Sequence, residues 1–139
     1  MKKILLDTNI VLDIALERGE FFKKAKNVVG LIYQKGIPIY VTATTITDIY
    51  YLLKKDKGHQ STIDFLINIF DFVDIAGVDK TAIINALNSG MNDFEDSVQT
   101  ETAKQHDISV IITRNKKDFE NSGLQIFSPD EYINKQKNN

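Results

Sequence analysis

The sequence contains no cysteine, only two prolines, and no apolar run long enough to span a membrane. Without cysteine, disulfides, thiol nucleophiles and cysteine-bound zinc are excluded. The basic and then apolar start, MKKILLDTNI, resembles a signal peptide only superficially. Asp7 interrupts its apolar run and no small-residue cleavage site follows. We therefore expect a cytoplasmic protein with no membrane segment.

Motifs of several common enzyme classes are also missing. The chain has no phosphate-binding loop, no dinucleotide-binding glycine fingerprint, no zinc-protease helix motif and no serine in a nucleophile elbow. Its two histidines, His59 and His106, stand alone in polar settings near predicted helix ends, which is typical of solvated surface residues. Chemistry that depends on histidine, cysteine or serine therefore has little support.

The residues that are present suit a globular protein. The 139 residues are 42% hydrophobic and 26% charged, which allows a buried core and gives no sign of disorder. We find no repeat or linker and predict a single domain, residues 1–139. The net charge of −2 counts mildly against a nucleic-acid ligand. Lysines nevertheless cluster within residues 23–26, 54–57 and 114–117.

Apolar periodicity predicts strands that alternate with helices. Strands are predicted at 3–6, 37–42, 72–76, 108–112 and 125–127, the last at a sheet edge. Helices are predicted at about 9–16, 20–35, 45–55, 60–70, 79–89, 93–106 and from 129 onward. Gly58 separates two of them, and a capping box at Ser128 opens the last. This alternation predicts an α/β fold with a parallel sheet covered on both faces.

Acidic residues follow the predicted strands, where sites form in open α/β sheets. Asp7 ends the first strand, Asp48 lies about one helical turn beyond the second strand, and Asp118 follows the strongest strand. Each also fits an ordinary role. Asp7 could cap a helix, Asp48 could be a first-turn acid favoured by the helix dipole, and Asp118 could be a loop acid.

The densest acidic cluster is the segment NDFED, residues 92–96, at the start of a predicted helix. Capping explains one or two of these acids but not three carboxylates within four residues. Asp93 and Asp96 share a helix face, and Asp96 is deep enough in the helix to project beside the strand ends. Glu95 is expected to point elsewhere.

Gathering such carboxylates costs free energy through mutual repulsion, and a hard divalent cation offsets that cost. Magnesium prefers oxygen ligands and retains several waters. A site of this kind can activate water and stabilise charge on a phosphate without histidine, cysteine or lysine. The residues themselves therefore favour metal-assisted hydrolysis with Mg²⁺ or Mn²⁺.

Three segments resemble the PIN-domain nucleases in order and spacing: ILLDTNIVLD, ATTITDIYYLL and DFEDSVQTETAKQHDISVIITRNKKDF. The resemblance spans nearly the whole chain. It implies a three-layer α/β/α sandwich with a central, mainly parallel sheet, and a metal-dependent endoribonuclease. It also implies catalytic and metal-binding roles for Asp7, Asp48, Asp96 and Asp118, with supporting roles for Asn9, Asp93, Thr113 and Asn115.

Two positions depart from the pattern of many relatives. Asp48 stands where many carry Glu, and Asn115 stands where some carry an acid directly after the Thr-Arg pair. We expect Asp118 to supply the fourth carboxylate through a helical turn anchored by Phe119 in the core. Asn115 should then hydrogen-bond the loop or a neighbouring acid. If Asp118 pointed to solvent, Asp93 would be the next candidate.

Many small bacterial members of this family, of the virulence-associated protein C type, are toxins of toxin–antitoxin pairs. The resemblance therefore also implies an antitoxin partner and a homodimer. Candidate RNA contacts are Lys54, Lys55, Arg114, Lys116 and Lys117. For Lys54 and Lys55, a solvated charged face explains the pattern equally well.

Two other functions are compatible with an acidic α/β protein. A PIN-fold RNA-binding module that has lost catalysis would keep the fold, although the presence of all four acids argues against it. A receiver domain that accepts a phosphoryl group on Asp normally needs paired acids after its first strand, and here only Asp7 ends that strand. The nuclease is therefore the favoured hypothesis.

Overall fold

The computed structural model describes residues 2–138. Five strands form one sheet: β1 (Lys3–Leu6), β2 (Ile39–Thr42), β3 (Asp74–Ala76), β4 (Ile108–Ile112) and β5 (Gln125–Phe127). All neighbouring strands pair in parallel, in the order β3-β2-β1-β4-β5. The five predicted strands are thus confirmed, and β5 lies at the predicted edge.

Six helices connect and follow these strands. They are α1 (Thr8–Ala15), α2 (Gly19–Gln34), α3 (Ala43–Ile69), α4 (Lys80–Leu87), α5 (Phe94–Gln105) and α6 (Pro129–Lys137), with a short 3-10 turn at Lys116–Phe119. The capping box predicted at Ser128 is present. No helix in residues 2–138 is both long and apolar enough to cross a membrane.

The element α3 combines the two helices predicted at 45–55 and 60–70. Gly58 lies between them with the non-helical angles φ 78° and ψ 172°, so the predicted break between two helices is confirmed, although no loop separates them. Backbone in this region is nearly exclusive to glycine. Both halves of α3 contribute to the core, with Ile49 and Leu53 before Gly58 and Leu66 after it.

Side chains alternate between the two faces of the sheet and build a core on each. Ile4 and Leu6 of β1 face a core shared with α1, α2, α3 and α6. Leu5 faces a smaller core that contains Ala103 of α5 and Phe119. The helix α4 packs against α5 on this second face. Apolar burial on both faces makes the protein a three-layer α/β/α sandwich, as predicted.

The strand order places one reversal point at the middle of the sheet. β1 lies between β2 and β4, so strands are added first on one side of β1 and then on the other. Asp7 directly follows β1 and Thr113 directly follows β4, and the Asp7 N–H donates to the Ile112 carbonyl at 3.0 Å. Both residues therefore lie at the carboxyl edge where ligand sites form in such sheets.

Gly58→Ala should lower the free energy of unfolding by about 1–3 kcal/mol, because alanine is strained at this positive φ. A Cβ added there meets no atom within 4 Å, so the cost comes from the backbone alone. Gly30→Ala, within α2, is the matched control, since its added Cβ also meets open space. There the helical backbone should give a gain of about 0.5–1 kcal/mol. Urea denaturation of both variants tests this, and effects of equal sign and size would contradict it.

Candidate functional site

A cleft at the carboxyl edge of the sheet gathers acids from four parts of the chain. Six carboxylates line it: Asp7, Asp48, Asp93, Glu95, Asp96 and Asp118. Thr8, Asn9, Leu12, Tyr51 and Leu52 complete the lining. The structure therefore brings together all four acids predicted as catalytic, together with the predicted supporting residues Asn9 and Asp93.

Asp7 is nearly buried, with 4% of its surface exposed. It occupies the position before α1, yet its side chain makes no capping hydrogen bond. Its carboxylate instead accepts from Gln99 Nε2 on Oδ1 at 3.0 Å and from Thr113 Oγ1 on Oδ2 at 2.8 Å. Burial raises the pKa of Asp7, and these two hydrogen bonds oppose the rise. Capping thus does not explain this side chain, which is held in one orientation.

Asp48 is carried by the first turns of α3, whose start is tied to the rest of the cleft by hydroxyl groups. Thr42 Oγ1 caps the helix by accepting from the Thr45 N–H at 3.2 Å. The Thr42 hydroxyl donates to Thr45 Oγ1 at 3.1 Å, and the Thr45 and Thr8 hydroxyls lie 2.8 Å apart. Thr8 Oγ1 then donates to Glu95 Oε1 at 3.2 Å. Each hydroxyl donates once when the order is Thr42 to Thr45 to Thr8 to Glu95. This series of hydrogen bonds links α3, α1 and α5.

The start of α5 contributes three acids with different surroundings. Asp93 caps the helix by accepting from the Asp96 N–H at 2.9 Å, so capping accounts for this residue. Partial burial, followed by the charges of Asp93 and Asp7, raises the pKa of Asp96 to about 7. All the charges that act most on Asp96 are carboxylates of the same cleft.

Glu95 was expected to point away from the site, and this expectation is wrong. Its carboxylate lines the cleft and accepts from Thr8. Desolvation, then hydrogen bonding to Asp48 and the charge of Asp48, raises the pKa of Glu95 to about 7. Helical spacing misses this residue because the cleft surrounds the first turn of α5, where a long side chain reaches back beyond the helix start.

Asp118 lies where the predicted turn was expected to bring it. The 3-10 turn Lys116–Phe119 buries Phe119 completely, and the Asp118 N–H donates to the Asn115 carbonyl at 3.0 Å. The Asp118 carboxylate faces the cleft, and its charge contributes to the raised pKa of both Asp7 and Asp96. The backbone N–H of Asn115 donates to Thr113 Oγ1 at 3.0 Å, a contact that assigns no role to the Asn115 side chain.

Arg114, a predicted RNA contact, is occupied by a buried acid. Its Nε donates to Asp13 Oδ2 at 2.9 Å, and its guanidinium lies over the ring of Phe21 at 4.2 Å. Asp13 is 1% exposed and also accepts from Arg18. Arg114 therefore joins the loop after β4 to α1 and α2. No local sequence pattern indicates this pairing, because Asp13 lies 101 residues earlier in the chain.

The predicted lysine contacts fall into two groups. In the first group, Lys116 Nζ pairs with Glu131 Oε2 at 3.0 Å, and Lys54 Nζ lies 5.7 Å from the centre of the Tyr50 ring on the same helix. Lys55 and Lys117 are exposed and contact no carboxylate in residues 2–138. These two lysines are thus the cations of the set that remain available to a ligand.

Neither histidine lines the cleft. His59 Nδ1 lies 2.9 Å from the Tyr50 hydroxyl, and His106 Nε2 lies 2.9 Å from the Gly77 carbonyl. Both contacts are outside the cleft, as expected for residues that are not ligands.

The donor set of the cleft suits a hard divalent cation. Within residues 2–138, no three acidic or histidine side chains converge tightly enough to form a ready-made metal site. The carboxylates are instead spread around the cleft, because like charges repel one another. Their oxygens, with nearby hydroxyl and amide groups, are the ligands that Mg²⁺ and Mn²⁺ prefer. The residues present therefore fit such an ion.

Comparison with known proteins places the chain among relatives of the same architecture. Ribonuclease VapC1 of Aquifex aeolicus (strain VF5) is 24% identical over 135 residues, which covers 94% of this chain and 93% of the relative. The crystal structure of DNA-bound VapBC from Salmonella typhimurium matches with a TM-score of 0.70 at 16% identity, covering 93% of this chain and 99% of that chain.

A second solved structure, VapC20 of Mycobacterium tuberculosis, is described as a sarcin-ricin loop cleaving toxin. It matches with a TM-score of 0.69 at 14% identity, covering 88% of this chain and 96% of that chain. At such identities these two structural matches show a shared fold. The family model of the PIN domain matches residues 3–117. Since this match includes most of the chain, the protein belongs to the PIN domain family.

Proposed function

We propose that residues 1–139 form a single PIN-like nuclease domain that hydrolyses RNA phosphodiester bonds with the help of Mg²⁺ or Mn²⁺. The observation that carries this proposal is the cleft of six carboxylates at the reversal point of the sheet. The similarity to Ribonuclease VapC1 supports RNA as the substrate. An inactive RNA-binding module would gain nothing from a cleft whose acids destabilise one another.

The residues that would hold the ion are Asp7, Asp48, Asp96 and Asp118, with Glu95 as an additional oxygen donor. When bound, the ion would offset the repulsion among these carboxylates, activate water and balance the charge of the phosphate. Asp7 contributes a carboxylate of fixed orientation, because Gln99 and Thr113 each hold one of its oxygens. Pre-orientation of this kind lowers the cost of arranging a site around the substrate.

Glu95 has a fixed place in this arrangement. Its Oε1 accepts from the Thr8 hydroxyl, which restricts where that carboxyl points. The charge of Asp48 contributes to its raised pKa in the metal-free cleft, and a bound cation would offset that charge. We therefore assign to Glu95 the role of an oxygen donor beside the aspartates.

An antitoxin protein and a second copy of the chain are the proposed partners. The matched solved structures include VapBC complexes and a toxin–antitoxin complex from Klebsiella pneumoniae. An apolar groove between α1, α2 and α3 offers a surface for the apolar face of an antitoxin segment; its lining includes Val11, Ile14, Phe22, Phe65, Ile69 and Phe72. Exposed Tyr51 and Leu52 at the cleft rim fit a homodimer contact.

Asp7→Asn and Asp96→Asn should each reduce RNA cleavage by at least about 100-fold, because the amide removes the charge of a direct ligand with little change of shape. Asp71→Asn changes an exposed acid outside the cleft and should cleave at the wild-type rate. Cleavage of structured RNAs is measured with Mg²⁺, Mn²⁺ or chelator, with circular dichroism as a check on folding. Full activity in chelator, with metal verified absent, would contradict the metal requirement. A wild-type rate in either cleft variant at saturating metal would remove that residue from the ligand set.

The metal-free protein should lose stability as the pH rises from roughly 5 to 7.5. Asp96 and Glu95 have pKa values of about 7, above their ordinary values of 3.8 and 4.5. Both groups bind protons more tightly in the folded protein, so their stabilising contribution is present at low pH and is lost through pH 7. Thermal unfolding in chelator measures this dependence. Asp96→Asn should weaken it while Asp71→Asn leaves it unchanged, and stability that rises over this range would disprove the explanation.

Lys55 and Lys117 should contribute RNA affinity and no chemistry. Replacing both with alanine should weaken binding and reduce the slope of log affinity against log salt by roughly 0.7 for each lost phosphate contact to a single strand. The measurement uses the Asp96→Asn background so that the RNA stays intact. Lys80→Ala, an exposed lysine of α4 away from the cleft, is the control and should leave the slope unchanged. An unchanged slope in the double variant would show that RNA follows another surface.

A further inference from the structure

Besides the acids at its start, the helix α5 directs a buried polar side chain at Asp7. Gln99 lies three residues after Asp96, is 1% exposed, and donates from Nε2 to Asp7 Oδ1 at 3.0 Å. The sequence motifs assign no role to Gln99. Its contact nevertheless connects the helix that carries one candidate ligand to the carboxylate of another.

The orientation of the Gln99 amide follows from the chemistry of its partner. An ionised carboxylate only accepts hydrogen bonds, so the amide nitrogen must face Asp7. This orientation leaves Gln99 Oε1 buried without a hydrogen-bond partner among residues 2–138. A buried acceptor without a donor destabilises the fold. The feature that accounts for the Gln99 side chain is therefore the donor that it directs at Asp7.

Two side-chain hydrogen bonds hold the Asp7 carboxylate, one on each oxygen. Gln99 of α5 binds Oδ1, and Thr113 of the loop after β4 binds Oδ2. With one donor on each oxygen, the carboxylate cannot rotate without breaking a hydrogen bond. Each oxygen keeps a further lone pair for a cation.

We propose that Gln99 is a positioning residue for the metal site. It fixes the rotation of the Asp7 carboxylate and sets the distance between Asp7 and Asp96, because Gln99 and Asp96 lie three residues apart on the same face of α5. This inference rests on the proposed function, since it takes Asp7 as a ligand. Groups that hydrogen-bond a metal ligand orient it and tune the affinity of the site.

The test is titration calorimetry of the full chain with Mn²⁺ alone. Gln99→Met keeps the length and burial of the side chain but removes the donor, and should weaken Mn²⁺ binding by about 10- to 100-fold. Thr102→Val is the matched control on the same helix. Thr102 is also buried and its hydroxyl also has no partner within residues 2–138, so Mn²⁺ affinity should be unchanged.

Urea denaturation of each variant separates positioning from a general effect on the fold. Gln99→Met removes the unpartnered oxygen, which favours the fold, and a donor to the nearly buried Asp7 carboxylate, which opposes it. These effects oppose each other, so the variant should remain folded without urea while its Mn²⁺ affinity falls. If Gln99→Met does not fold, Gln99→Asn replaces it, since its amide is one methylene too short to reach Asp7.

The outcomes distinguish this inference from the proposed function. Wild-type protein that binds no Mn²⁺ would overturn both. Wild-type binding that Gln99→Met leaves unchanged would overturn only the role of Gln99, and the carboxylate site would stand. Equal losses of Mn²⁺ affinity in Gln99→Met and Thr102→Val would also overturn it, because α5 packing would then explain the effect.

Discussion

A carboxylate nearly buried at the end of the central strand must be compensated by hydrogen bonds, because desolvation of its charge is costly. In this protein that group is Asp7, and its two side-chain donors come from α5 and from the loop after β4. Each of these segments also carries another acid of the cleft, Asp96 on α5 and Asp118 on the turn. The groups that stabilise Asp7 therefore also determine which further acids lie beside it.

Other contacts position these segments from outside the cleft. The Asp13–Arg114 pair holds the start of the loop after β4 against α1, with Asp13 fully enclosed. The threonine chain that ends at Glu95 ties the start of α3, and with it Asp48, to α1 and α5. The charge of buried Asp13 is thus compensated by arginine, whereas the acids of the cleft mainly face one another. This contrast is what makes the cleft suited to an external cation.

Local patterns predicted most of the fold. Apolar runs and turn residues located all five strands, and the capping box at Ser128 is present as expected. The break between helices predicted at Gly58 is also present, since the backbone there is non-helical. Glycine indicates such a change of φ but does not by itself give the direction in which the next helix runs. Packing of both halves decides that direction, and packing is not a local property.

The site was predictable where chemistry follows strand ends and was missed where it depends on contacts distant in sequence. Asp7, Asp48, Asp96 and Asp118 meet in one cleft because parallel strands end at one edge. Gln99 reaches a carboxylate 92 residues earlier, and Arg114 pairs with an acid 101 residues earlier. No spacing rule links such positions. The position of Glu95 in the cleft was missed because a helical wheel assumes that neighbouring elements contact only one face of the helix. In the first turn of α5, other elements also lie beyond the helix start.

The raised pKa values also bear on how an acidic protein would bind RNA. With a net charge of −2 and six carboxylates in one cleft, the metal-free site repels phosphate. Under the proposed function, a divalent ion would offset part of the negative charge of the cleft and present a positive centre to the phosphate, as well as assist the chemistry. Metal and RNA would then favour each other's binding by the same factor, because coupling between two ligands is reciprocal. The mildly acidic composition is thus consistent with RNA binding. Under the proposed function, the affinity for RNA would arise at the metal-loaded site and from a few lysines such as Lys55 and Lys117.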